Sequence, residues 1–308
     1  MLRRTTMLAL ILMLGVVWFT PSPVSAGMPS AWFELHKPWG RWDQVVEYGL
    51  VQRSWTFAPL TDNGFRSEPY ADAPAVPPMN EVEGWRWVYY FDKARIELNP
   101  ASNDPLWRFT TGLLATELIT GQMQLGDTLF EQHEPSHAPV AGDPDSTITP
   151  TYATLQPLLS APSLPAGTVV TQTLAADGTT GNDPAQAEQG VTTIDVGAPT
   201  SHSVASVFWT FMNSSGLVVS EEGGAFVEER LFPNAFYATG YPITEAYWTQ
   251  AQVAGTAQDV LLQCFERRCL TYTPDNPAAW QVEFGNIGQH YFAWRYPSEE
   301  FPSPTPIS

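Results

Sequence analysis

One run of the chain matches a known chemistry letter for letter: His133-Glu134-Pro135-Ser136-His137. The pattern H-E-x-x-H holds zinc when it is helical, because imidazoles at i and i+4 then reach one metal while the glutamate polarises its water. Pro135 sits in the centre of the required turn, where it deletes a backbone donor at about 3 kcal/mol and drives Glu134 out of helical geometry. Pro139, Gly142 and Pro144 deny any continuation. The run is therefore expected to be a polar loop, with no metal and no other cofactor. Asp143 and Asp145 lack the rest of a twelve-residue calcium loop. No Gly-x-Ser-x-Gly elbow offers a nucleophile.

Two charged segments remain: Asp92, Lys93, Arg95 and Glu97, and then Glu266, Arg267 and Arg268. Glycoside hydrolysis would need two carboxylates facing each other across a sugar at about 5 to 10 Å, and Glu97 and Glu266 are the candidates. The plainer reading is of solvated hairpin tips with cross-strand ion pairs, with Asp92, Arg95, Glu97, Glu266 and Arg267 as polar contacts for a ligand and no catalytic residue. His202 reads as a cap-region residue and His290 as a surface position. Of 12 tryptophans, Trp18 falls in the apolar leader, leaving 12 − 1 = 11. Trp107 and Trp280 follow matched turns and are expected in the core. Trp39, Trp42, Trp55, Trp85 and Trp248 neighbour Gly, Pro or polar residues, and are candidates for a platform that stacks on sugar rings.

The elements that must position these residues recur. Asp259 to Tyr272 reads as a hairpin, followed by the Thr273 to Pro277 turn, Trp280 and a helix over 286–294. Trp87 to Asn99, the Pro100 to Pro105 turn, Trp107 and a helix over 112–120 repeat that order, with Leu114, Leu118 and Ile119 falling on Ile287, Tyr291 and Phe292. Upstream, Gly49 to Phe57 resembles Gly240 to Trp248. A looser third unit lies between, with strands in 167–174 and 190–196, a loop over 175–189, and a helix from near His202 that stops by Gly216. The expected fold is α+β: three divergent hairpin-plus-helix units packed together. Their bounds are 27–148 with an N-terminal arm, 149–217 and 218–296. Pro-rich stretches at 136–150 and 220–233 separate them, and 297–308 is a flexible tail.

Residues 1–26 have the order of a secretory signal: Arg3 and Arg4, an apolar run from Met7 to Phe19, and Val24-Ser25-Ala26 before Gly27. Its removal takes Lys+Arg from 14 to 12 against 32 acids, so the net charge moves from −18 to 12 − 32 = −20. That charge repels nucleic acid and anionic lipid, so neither is expected as a partner. The two cysteines, Cys264 and Cys269, face each other if the hairpin turns at Glu266 and Arg267, and an oxidising compartment favours their disulfide.

Gly240, Pro242 and Thr244, then Phe265, Leu270, Tyr272 and Pro274, then Val282, Gly285 and Ile287 resemble the LGFP repeat of bacterial cell-envelope proteins, with Arg268 standing at its hairpin glycine. The whole chain also resembles a family of exported bacterial proteins that carry the segment found here from Phe236 to Trp248. The first resemblance implies a glycan or envelope ligand. The expectation is a secreted, non-catalytic binding or envelope-associated module whose partner is a polysaccharide or peptidoglycan. An extracellular glycan hydrolase using the hairpin carboxylates, and a structural surface protein, are the alternatives.

Overall fold

The computed structural model describes residues 37–75, 82–99, 102, 104, 106–197, 199–220 and 224–303. The leader at 1–26 and the last residues of the tail lie outside them.

Two short helices, α1 (Lys37–Trp42) and α2 (Gln44–Glu47), lead into an antiparallel meander of β1 (Phe65–Pro69), β2 (Trp85–Phe91), β3 (Ala94–Leu98) and β4 (Phe109–Thr111). The Trp-Arg-Trp-Val-Tyr-Tyr-Phe run of β2 is rich in residues that fit a pleated surface, and it pairs with β3 across a turn at Asp92 and Lys93. Helix α3 (Leu114–Thr120) follows and ends at Gly121, whose φ of 73° closes the last turn. A small hairpin comes next, β5 (Gln122–Gln124) with β6 (Phe130–Gln132), and then α4 (Tyr152–Leu155).

The centre of the chain departs from the expected third unit. Strand β7 (Gln172–Leu174) lies in a segment that reads as strand, but its hairpin partner β8 (Thr180–Asn182) lies in what reads as loop. Strand β9 (Thr193–Ile194) pairs with β10 (Val204–Ala205), while Thr193 also exchanges backbone hydrogen bonds with Gly167 and Thr168. Helix α5 (Ser206–Met212) stops four residues before Gly216, which lies in β11 (Ser215–Val219), paired with β12 (Phe226–Arg230). The supposed separator at 220–233 is thus half hairpin. The one at 136–150 is irregular but packed, with Val140 buried and Asp143 N–H donating to Gln252 O.

A second meander, β13 (Tyr247–Val253), β14 (Thr256–Cys264), β15 (Cys269–Tyr272) and β16 (Val282–Phe284), leads into α6 (Ile287–Arg295). With β7 lying parallel to β13, the sheet order is β16-β15-β14-β13-β7-β8. Helices and several small sheets together make the fold α+β. The two meanders share an element order that the middle of the chain lacks. The equivalence is not the one read upstream: Lys93 N–H donates to Phe57 O, whereas Arg267 N–H donates to Thr239 O, so Phe57 corresponds to Thr239 and not to Trp248.

Each meander is closed by the helix of the other. Gly288 and Gln289, in the first turn of α6, donate N–H to the carbonyl of Asp92 at the first hairpin tip. Thr116, in the first turn of α3, donates its N–H and its hydroxyl to the carbonyl of Glu266 at the second tip. Helix-start donors that would otherwise lack partners are satisfied across the molecule.

Strand alternation feeds two cores. Tyr89 and Phe91 of β2, with Leu261 and Phe265, pack with Phe57, Phe208, Phe232 and Trp248. Val88 and Tyr90, with Leu262 and Cys264, pack with Leu118, Tyr152, Ile287 and Phe292. Each core takes residues from the first and the last third of the chain.

Candidate functional site

The tryptophans divide differently from the expected platform. Trp39, Trp42 and Trp248 are buried, at 8%, 3% and 2% exposure, and offer no face to a ligand. The indole N–H of Trp39 donates to Ala58 O and that of Trp248 to Val170 O, while Trp42 packs among Phe57, Phe232 and Tyr237. Trp55 is half-buried and Trp85 is 41% exposed. Trp107, expected in the core, is 39% exposed, and Trp280 is half-buried.

The hairpin charges also move inward. Arg95 and Glu97 are strand residues of β3. Arg95 is fully buried, paired with Glu68, Glu97 and Glu117 and set over the Tyr291 ring at 4.6 Å. Burial pushes the Glu97 carboxyl up, but Arg86 and Arg95 pull it below its ordinary range. Glu68 is buried as well, and Arg95, Arg295 and Arg86 overcome its desolvation to hold it at about 2. This cluster is structural, because its carboxylates are consumed by guanidinium and phenol partners. Arg268 is buried between the rings of Phe57 and Phe284, and burial brings its guanidinium down to about 9, still charged at neutral pH. Asp92 serves through its backbone carbonyl at the α6 start.

The second hairpin closes as a disulfide. Cys264 pairs with Cys269 in register, and the turn falls on Glu266 and Arg267, with Phe265 N–H donating to Arg268 O. The run 133–137 forms no helix: His133 pairs with Glu131 and meets the Trp294 ring edge-on at 5.3 Å, and the Trp294 indole N–H donates to Glu134 O. Among the described residues no cluster of three or more His, Cys, Asp or Glu could hold a metal. Both Asp143 oxygens accept backbone N–H groups, from Ala254 and Gly255.

What the fold assembles instead is a cleft of about 320 Å³ beside the segment from Phe236 to Glu245, which lines it through residues 241–243. Its walls are Thr116 at the start of α3, Thr200 and His202 from the approach to β10, Tyr241 and Pro242, and Glu266. The segment is held rigidly. Gly240 has a φ of 70° and lies so near Glu266 that a Cβ would come within 2.7 Å of its Oε2. Tyr241 N–H donates to Glu266 Oε2 at 2.9 Å, and Glu266 N–H donates back to Tyr241 O. Thr244 Oγ1 accepts from Cys264 N–H. Buried Glu245 accepts from Ser203 N–H at 2.9 Å and from the Ser203 hydroxyl at 2.5 Å, and it pairs with His202 Nδ1 at 3.2 Å.

Tyr241 is nevertheless 37% exposed. Its ring packs on Phe236 at 4.8 Å and Phe236 on Trp209 at 5.8 Å, so an aromatic strip leads from the rim of the cleft over half-buried rings. His202 was expected as a cap and is instead a buried wall residue whose two nitrogens face the Glu245 carboxylate and Leu159 O. With both nitrogens occupied, it cannot serve as a general base without losing a partner. Neither Tyr241 nor Phe236 was singled out from the sequence. The signal available was the dense aromatic and glycine content of 236–248.

No protein-family model, curated protein or solved structure matches this chain.

A second cleft, of about 330 Å³, lies between the first hairpin tip, the 141–143 loop and the face of the second meander. Lys93 enters it, donating to Phe284 O at 2.7 Å and to Asn286 Oδ1 at 3.2 Å. His290 lines it rather than the open surface, and its Nδ1 meets the Tyr152 hydroxyl at 2.9 Å. Burial, aided by Lys93, lowers the His290 imidazole to about 4.

Proposed function

We propose that this chain is a secreted, non-catalytic binding module for a polysaccharide or peptidoglycan, which takes a sugar ring against Tyr241 and continues along Phe236 and Trp209. The observation that carries the reading is an exposed Tyr241 on a backbone locked from both sides beside a polar cleft. Aromatic faces with polar neighbours suit the apolar faces and hydroxyl rims of sugars. A preset ring loses little conformational freedom on binding. Glu266, Thr116 and Thr200 supply acceptors and donors at the rim.

Binding is favoured over hydrolysis by the carboxylates. Glu97 is committed to Arg86 and Arg95 inside the fold, and among the described residues Glu266 is the one carboxylate on this cleft wall. A two-carboxylate mechanism needs a second group opposite it. The Cys264–Cys269 disulfide agrees with an oxidising compartment.

The test is co-sedimentation of the chain lacking residues 1–26 with insoluble peptidoglycan, chitin and cellulose. Retention on at least one is expected, weakened about ten-fold in Tyr241→Ala, in line with about 1.4 kcal/mol for one stacked ring. Trp85→Ala should leave it unchanged. If the protein stays in the supernatant with all three, or Trp85→Ala abolishes retention while Tyr241→Ala does not, this assignment is wrong.

A further inference from the structure

The second cleft carries charges that the glycan reading does not use. Lys93 is the cation: its ammonium reaches two neutral acceptors, Phe284 O and Asn286 Oδ1, and closes no ion pair with any described carboxylate. Burial lowers its pKa, opposed first by Glu283 and then by Asp92. A half-buried ammonium whose hydrogen bonds go only to neutral oxygens is under-compensated, and a third N–H remains for a ligand.

Two carboxylates line the same cleft, and they are held differently. Asp143 has an oxygen on Ala254 N–H at 2.9 Å and the other on Gly255 N–H at 2.7 Å, so it closes the β13–β14 turn. Glu283, on β16 opposite Thr271, is half-buried, and among the described residues its carboxylate accepts no hydrogen bond. Lys93 and Glu283 come from different meanders, interact electrostatically, and do not touch. His290 is neutral at physiological pH and adds no net charge. The remaining polar wall includes the amides of Gln258 and Asn276.

We propose that this cleft binds a free α-amino acid as a zwitterion, its carboxylate on Lys93 and its ammonium on Glu283. A simple anion gains Lys93 but meets Glu283 and the charge of Asp143. A simple cation gains the carboxylates but leaves the spare Lys93 N–H unused and is repelled by its charge. A zwitterion replaces one open, solvent-filled attraction with two charge-assisted contacts, and its small opposed charges suit a cleft of about 330 Å³. The site is independent of the Tyr241 cleft, so either can fail alone.

The experiment is calorimetric titration of the chain lacking residues 1–26, with L-serine, N-acetyl-L-serine (ammonium removed) and L-serine methyl ester (carboxylate removed). Saturable binding of L-serine is expected, with each blocked form at least about ten-fold weaker. Glu283→Gln should weaken L-serine by about ten-fold or more and bring the N-acetyl form level with it. Lys93→Met should abolish binding. Because Lys93 also braces Phe284 O, Glu283→Gln is the deciding variant. No heat with L-serine at millimolar concentration, equal binding of all three probes, or unchanged affinity in Glu283→Gln overturns the proposal.

Discussion

The buried carboxylate Glu68 offers the sharpest test of how the two meanders are held together. Its Oε1 accepts from the Tyr90 hydroxyl at 2.6 Å and the Tyr296 hydroxyl at 3.0 Å, and its Oε2 meets Arg95 at 3.1 Å. Arg95 and Tyr90 belong to the first meander, whereas Arg295 of α6, which reaches Oε1 at 3.6 Å, belongs to the second. Desolvation raises this carboxyl, and the three arginines more than reverse it, leaving it at about 2 against an ordinary 4.5. A folded value below the unfolded one means stability that is complete above pH 4.5 and is lost as pH falls toward 2. The gap corresponds to about 3 kcal/mol at neutral pH. Glu68→Gln keeps the shape and removes the charge, so at pH 7 it should cost about 3 kcal/mol in guanidinium unfolding. At pH 2.5 the difference between the two proteins should shrink below about 1 kcal/mol, since the native carboxyl is then partly protonated. Groups not coupled to Glu68 are common to both proteins and cancel, whereas Glu97, which the Glu68 charge raises, shifts with it. A difference of the same size at both pH values would show that Glu68 acts through shape alone and refute the electrostatic account.

Two further outcomes test the geometry. Gly288→Ala places a Cβ 1.9 Å from Phe91 O and 2.7 Å from Ala94 O, which should part α6 from the first hairpin and cost about 3 kcal/mol or more by chemical denaturation. Reducing Cys264–Cys269, which closes a short loop, should lower stability by about 2 kcal/mol and leave the far-ultraviolet spectrum unchanged.

Local pattern made the hairpins, the helices after them and the disulfide legible. Trp87 to Asn99 and Asp259 to Tyr272 each gave a two-stranded hairpin, the second with its turn at Glu266 and Arg267, because alternation and tight-turn geometry are short-range properties. Burial decided by distant partners was not legible. Trp248 lies among polar neighbours in sequence, yet its indole N–H finds Val170 O, and Trp39 finds Ala58 O. Arg95 and Glu97 look like tip charges, but the turn closes at Asp92 and Lys93, so both lie in the strand, where Glu68 and Arg86 await them. The central segment misled for a related reason. Residues 167–170 do meet 191–193, with Val170 N–H on Val191 O and Thr193 N–H on Thr168 O, but the strand beyond them, β7, goes to β8 and to β13, far along the chain. The Tyr241 cleft depends on contacts from Glu266, His202 and Thr116, which no spacing brings together.

The crossed closure of the hairpin tips sets an order of events during synthesis. The tip at Asp92 is made early, but the N–H groups that cap it belong to Gly288 and Gln289, near the end of the chain. The tip at Glu266 finds its partner, Thr116, already made. The first meander therefore emerges with an unsatisfied edge and waits, open, for nearly the whole polypeptide. A chain truncated before residue 287 would lose the latch of its own beginning, and folding would be slow and dominated by contacts remote in sequence.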